Sequence, residues 1–207
     1  MSVIGITGGI ASGKSTFCEA LLKLRPGPFF DADECARALI DFDPSVRDAL
    51  SLYMPSAYRS DGTPDRAAIR ARVFIDPKAK AKLEEILHPR IRMRWQAMAS
   101  ESRVNGEDFI VDIPLLFEAL ATSAFDCIVT VACSPETQIQ RAMQRGLSRA
   151  QVEQIMSSQW ENAKKIPSSD FVIWNDGSAR MLETQAAELS RRLAFPLLKN
   201  FREKVLA

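Results

Sequence analysis

The stretch Gly8-Gly9-Ile10-Ala11-Ser12-Gly13-Lys14-Ser15-Thr16 constrains this chain more than any other. A glycine, four residues and then Gly-Lys-Ser form the pattern of a phosphate-binding loop. Before it, the apolar run Val3-Ile4-Gly5-Ile6-Thr7 reads as a buried strand, and after it Thr16 to Leu24 reads as a helix. The strand-loop-helix context that the motif requires is therefore in place. Glycines let the backbone bend until successive N–H groups face an anion, the helix N-terminus adds its dipole, and Lys14 brings a mobile positive charge to the outer phosphates. Ser15 is placed to ligate Mg²⁺ through its hydroxyl. Gly8 to Thr16 thus predict binding of a nucleoside triphosphate, but the loop alone does not choose among a switch, a motor and a small-molecule kinase.

Charge narrows the choice of partner. Lys plus Arg number 27 against 26 Asp plus Glu in 207 residues, so no basic field draws the chain onto nucleic acid or an anionic membrane. A small-molecule partner is expected. Residues 1 to 24 begin with a strand and a polar glycine loop, which is no secretory signal, and no apolar run reaches membrane-spanning length. Cys18, Cys35, Cys127 and Cys133 show no metal-site or redox spacing and read as small buried hydrophobes. A cytoplasmic protein with reduced thiols is the expectation. The length allows an α/β domain with insertions and a sizeable core, and nothing demands an oligomer, so a monomer is expected with a homo-oligomer as the alternative.

Along the chain, Pro26-Gly27-Pro28 breaks the first helix and Phe29-Phe30 leads to Asp31-Ala32-Asp33. In an open parallel sheet the ligand crevice lies beyond the carboxyl ends of the strands, so an Asp here is placed to meet substrate or metal. Capping of the helix that begins near Glu34 is an equal reading of Asp31 or Asp33. From Asp41 to Ser102 the pattern is helical, over Pro44 to Leu52, Asp65 to Phe74, Pro77 to Leu87 and Pro89 to Met98. An insertion of this size is read as a lobe that covers a ligand, with a purely structural helical cap as the alternative. Arg66, Arg70, Arg72 and Arg90 within it read better as solvated faces than as phosphate ligands. His88, the only histidine, precedes Pro89 at an expected helix-to-helix junction and reads as a structural residue outside the chemistry. Phe109 to Ile113 is a second clear strand, in which Asp112 is a candidate to hold Mg²⁺ through water. Further strands follow at Cys127 to Ala132 and Phe171 to Trp174, and the alternation with helices is that of a parallel, doubly wound α/β sheet. Between them Pro135 to Ser169 is helical, with Arg141 and Arg145 four residues apart and so expected on one face of a helix. They are read either as a solvated face or as charge carried by a mobile flap over the phosphates. Ser178 to Leu193 and Phe195 to Leu206 are expected to be helices packed on the sheet.

Taken together these residues resemble the dephospho-coenzyme A kinases. The matching pieces are Thr7 to Ser15; Asp31-Ala32-Asp33 with Ala36-Arg37; Asp61-Gly62 with Asp65-Arg66; Leu87-His88-Pro89; and Asp112-Ile113-Pro114-Leu115-Leu116-Phe117-Glu118. Gln138, Arg141, Arg145, Gln159, Lys165, Asp170 to Ile173, Asn175 and Gly177 continue the match. The resemblance implies a P-loop kinase fold with a parallel five-stranded sheet flanked by helices. It implies a nucleotide core over residues 1–32, 103–134 and 170–207, a helical acceptor domain over 33–102, and a helical lid over 135–169. It further implies transfer of the γ-phosphoryl group of ATP, with Mg²⁺, to the ribose 3′-hydroxyl of dephospho-coenzyme A. Asp33 carries over as general base and Arg141, with Arg145 close by, as the lid cations, while Arg37, Arg66, His88 and Leu115 fall on the acceptor side.

Two departures stand out. Ala11 occupies the place of a usual third loop glycine, which strains the loop if its backbone is left-handed. Around Arg145-Gly146-Leu147 the lid is one residue shorter than the common pattern. Rival readings are a kinase of another small acceptor, such as a nucleoside monophosphate, and a nucleotide-dependent switch. Against the switch, no Asn-Lys-x-Asp signature is present, and the Asp112 strand continues as Ile113-Pro114-Leu115 rather than as an Asp-x-x-Gly segment.

Overall fold

The computed structural model of the chain describes residues 1–119 and 122–194. Five strands, β1 Val3–Gly8, β2 Phe29–Asp31, β3 Phe109–Asp112, β4 Cys127–Ala132 and β5 Phe171–Trp174, form one sheet in the order β2-β3-β1-β4-β5. The β3–β1, β1–β4 and β4–β5 pairings are parallel, with Ile4 opposite Ile110 and Cys127. β1 lies in the centre and is buried along its whole length, as its unbroken apolar run requires of a strand covered on both faces. Order reverses on either side of it, so the loop at its carboxyl end opens at a topological switch point.

The chain divides into two compact units, Met1–Phe30 with Glu101–Ala207, and Asp31–Ser100. In the first, α1 Lys14–Leu24 and α9 Ala179–Leu193 pack on the sheet. Leu182, Ala186 and Leu189, three and four residues apart on α9, meet Phe17, Cys18 and Leu21 of α1 over Ile4 and Val129. Helices α6 Pro135–Gln144, α7 Arg149–Ser157 and the short α8 Asn162–Lys165 also belong to this unit. All four cysteines are buried and free, as small core side chains. The helices expected over Phe195 to Leu206 lie outside the described residues.

The second unit is helical, built from α2 Ala32–Phe42, α3 Pro44–Tyr53, α4 Arg66–Ile75 and most of α5 Pro77–Asn105. Asp31, Asp43 and Asp65 each accept backbone N–H groups at the start of the helix that follows, which is why the acids punctuate this region. Arg66 donates to Asp41 at 2.6 Å and Arg72 to Asp76 at 2.9 Å, so two of the four arginines are paired within the unit.

The expected junction at His88-Pro89 does not exist: α5 runs through it, with Pro89 inside the helix. Apolar residues on both sides of the proline, Ala79, Ile86 and Leu87 before it and Trp95 and Ala99 after it, are buried. Their burial carries the helix across a residue that breaks one backbone hydrogen bond. Arg90 Nη1, next to the proline, donates to the Ile86 carbonyl at 2.7 Å, and Pro89 itself is exposed. Because an interior proline costs a helix up to about 3 kcal/mol relative to alanine, Pro89→Ala is expected to stabilise the protein by about 1–3 kcal/mol. A urea midpoint unchanged or lowered would show that Pro89 costs this helix less than its missing N–H implies.

Candidate functional site

β1 ends at Gly8 and α1 begins at Lys14, so Gly9 to Gly13 turn the chain at the end of the central strand. Gly13 sits at the N-cap of α1 with φ 91°, offers no side-chain cap, and no acidic residue follows in the first turn. The leading amides therefore lack a side-chain acceptor and carry the positive end of the helix dipole, the arrangement of an anion site. Glycine is required at 13 on two counts. Its φ is left-handed, and a Cβ there would run into Asn175 Nδ2.

Ala11 is also left-handed, at φ 54°, alone among the described non-glycine residues. The expected strain is thus real, and for an L-residue it is about 1–2 kcal/mol. The Ala11 methyl is buried among Ile139, Ala142 and Val152 of α6 and α7, and burial of one such group returns about 0.8 kcal/mol. Packing against the helices offsets a large part of the strain, and the loop keeps its shape through contacts outside itself.

Three amide side chains complete that hold. Gln138 Nε2 donates to the Ile10 carbonyl at 2.9 Å, the Ile10 N–H donates to Gln159 Oε1 at 3.0 Å, and Asn175 Nδ2 donates to the Ser12 carbonyl at 2.8 Å. The sequence assigned these residues no function. The one visible signal is Gln138, which shares a helix face with the buried Ala142 four residues on and is itself buried. A polar residue in an apolar stripe needs a partner, and here the partner is loop backbone.

Lys14 Nζ donates to Asp112 Oδ1 in an ion pair whose acid is buried and whose lysine is half-buried. The lysine expected to meet phosphate and the acid expected to meet Mg²⁺ therefore neutralise one another directly. A triphosphate with its cation would offer each a new partner of the right sign. Among the described residues no cluster of three metal-ligating side chains exists. The Ser15 hydroxyl, exposed on the first turn of α1, and the Asp112 carboxylate nevertheless suit Mg²⁺, which takes one or two protein oxygens and keeps its waters and phosphate oxygens.

Six buried side-chain polar atoms lack a hydrogen-bond partner among the described residues, and three of them, Ser12 Oγ, Glu118 Oε2 and Arg141 Nη1, belong to the loop or to segments around it, while a fourth, Lys165 Nζ, has only its ion pair with Glu118. An unmet buried group costs about 1–3 kcal/mol, so a polar partner bound here would relieve that cost. Arg141 Nη1 lies 3.8 Å from where a Cβ on Gly13 would be, which sets its guanidinium beside the head of α1. Lys165 is fully buried with Nζ 3.3 Å from Glu118 Oε1. Burial holds its amine below the ordinary lysine range, against the opposing pull of Glu118.

Arg145 lies at the end of α6, as its C-cap residue. α6 stops at Gln144 because Gly146 takes φ 90°, and the N–H groups of Gly146 and Leu147 bond the Met143 and Ala142 carbonyls. This is a Schellman ending, which leaves Arg145 as an exposed cap residue. The two readings of Asp31 and Asp33 also separate. Asp31 accepts from Glu34 N at 2.9 Å as the cap of α2, and Asp33 is exposed in the first turn, four residues before exposed Arg37 on the same helix face. Leu115 is half-buried in the turn after β3, ahead of buried Leu116 and Phe117, and His88 is half-buried within α5.

Comparison with known proteins gives one consistent result. The family model of dephospho-CoA kinase matches residues 2–181. The dephospho-CoA kinase of Anaeromyxobacter dehalogenans is 37% identical over 192 residues, covering 91% of this chain and 90% of that one. That of Bordetella avium is 40% identical over 191 residues, covering 90% and 88%. Among solved structures, dephospho-CoA kinase from Campylobacter jejuni is similar at a TM-score of 0.68 and 25% identity, over 92% of this chain and 96% of that one. A crystal structure from Thermus thermophilus reaches 0.73 at 34% identity, over 91% and 96%.

The double requirement at Gly13 yields a test of the loop. Gly13→Ala is expected to cost about 2 kcal/mol or more in stability and to weaken nucleotide binding, because the new Cβ displaces Asn175 from the Ser12 carbonyl. An unchanged denaturation midpoint together with unchanged ATP affinity would contradict this.

Proposed function

The chain belongs to the dephospho-CoA kinase family, and on that premise we propose how its own residues phosphorylate the ribose 3′-hydroxyl of dephospho-coenzyme A, the last step in making coenzyme A. The observation that supports this reading most directly is the set of unpartnered buried polar atoms around an uncapped helix N-terminus, with Arg141 beside it. Such a site binds a polyanion and stabilises charge that develops on it.

In the proposed mechanism the loop amides and Lys14 bind the β- and γ-phosphates of ATP, Lys14 leaving Asp112 as it does so. Ser15 and Asp112 would hold Mg²⁺, which when bound neutralises charge on the phosphate oxygens. Asp33 orients the 3′-hydroxyl and accepts its proton, so that the oxygen forms a bond to the γ-phosphorus as the bond to the bridging β-oxygen breaks and ADP leaves. Arg141 meets the equatorial oxygens of the transferring group. Arg145, on the cap of α6, is assigned a peripheral electrostatic role. On the acceptor side we assign binding to Arg37, which shares a helix face with Asp33, and to Arg66, His88 and Leu115. Among the described residues no helix is long and apolar enough to cross a membrane. Together with four free thiols and the use of ATP, this supports a cytoplasmic enzyme.

Acceptor-dependent release of ADP separates this reading from its rivals. ATP with Mg²⁺ should turn over rapidly only when dephospho-coenzyme A is added, and turnover with a nucleoside monophosphate or with no acceptor would overturn the assignment. Asp33→Asn should leave the Kd for ATP within about threefold while lowering kcat by about 10²-fold or more, the usual weight of a general base. Near-normal turnover of that variant would remove Asp33 from the chemistry. Lys14→Ala should instead weaken the nucleotide complex itself.

A further inference from the structure

Both backbone polar groups of Ile10 are held by glutamine side chains, the carbonyl by Gln138 and the N–H by Gln159. The partners lie 128 and 149 residues away in sequence, one on α6 and the other just after α7. The next residue is left-handed Ala11, a conformation that an alanine leaves unless its surroundings over-determine it. The hold is itself braced. The Trp160 N–H donates to Glu118 Oε1 at 2.7 Å and the Trp160 ring stacks on Phe117 with centroids 5.7 Å apart. Lys165 lies 3.3 Å from that same Glu118 oxygen. Gln159 is thereby anchored through its neighbour, and Gln138 is buried against the loop.

An amide suits this task because it supplies a donor or an acceptor without adding charge beside an anion site. We propose that Gln138 and Gln159 are positioning residues that hold the phosphate loop in its left-handed Ala11 shape, and that they set the affinity for ATP by doing so. The inference rests on Gly8 to Ser15 being the ATP phosphate site. It differs from a merely structural part for the two glutamines, because it ties their effect to the conformation of one residue.

The test is a cycle of Gln138→Leu and Gln159→Leu with Ala11→Gly, reading the Kd for ATP by calorimetry, kcat and KM for each substrate, and the Tm. Each leucine variant is expected to raise the Kd and KM for ATP by about tenfold while leaving KM for the acceptor unchanged. With glycine at 11, which holds a left-handed conformation at little cost, the same replacements should raise it by less than about threefold. If a leucine variant does not fold, Gln138→Asn, polar but one methylene short of the carbonyl, should show the same loss and the same rescue. A lowered Tm with an unchanged Kd, or an equal loss in both the alanine and glycine backgrounds, would overturn the proposal. Failure of the unaltered protein to bind ATP would fault the phosphate-loop reading instead.

Discussion

An anion site made of backbone amides cannot satisfy itself, and the rest of the nucleotide-binding unit follows from that constraint. The amides at the head of α1 must stay unpaired inside the protein until a ligand arrives, so the loop gives up the hydrogen bonds that would otherwise hold its shape. It also carries left-handed residues at 11 and 13. The stiffness has to come from elsewhere. Gln138, Gln159 and Asn175 supply it through the outward-facing groups of Ile10 and Ser12, which leaves the head of α1 for the phosphates.

Charge is arranged by the same logic. Lys14 with Asp112 and Lys165 with Glu118 form ion pairs with little exposure around the loop. Pairs of this kind add little to stability, because desolvation cancels most of the attraction, but a single partner left alone is costly. They balance these charges pairwise in the absence of nucleotide, while Arg141 Nη1 and Glu118 Oε2 keep no hydrogen-bond partner among the described residues. The binding of a triphosphate then exchanges partners instead of creating charge.

Much of this was legible in the residues because the signals are local. A strand buried on both faces must be apolar throughout, which exposes β1, β3 and β4, and a loop that wraps phosphate needs glycines and a lysine at fixed intervals. Reading failed where two local rules compete. Proline ends most helices, yet α5 continues through Pro89 because apolar contacts on either side outweigh one missing hydrogen bond. Gly146, left-handed, ends α6 at Gln144 and makes Arg145 its cap.

By itself the sequence determined the strand-loop-helix unit, the alternation of strands and helices, and the resemblance that points to phosphoryl transfer, since each depends on short-range periodicity or on residues with few alternatives. Tertiary structure alone decided what holds the loop. Periodicity cannot show that a glutamine 128 residues away meets the Ile10 carbonyl, that Lys14 rests on Asp112, or that an alanine is kept left-handed by the helices into which its methyl packs. Such contacts depend on elements meeting in space, and side-chain amides that serve backbone groups leave no repeating trace along the chain.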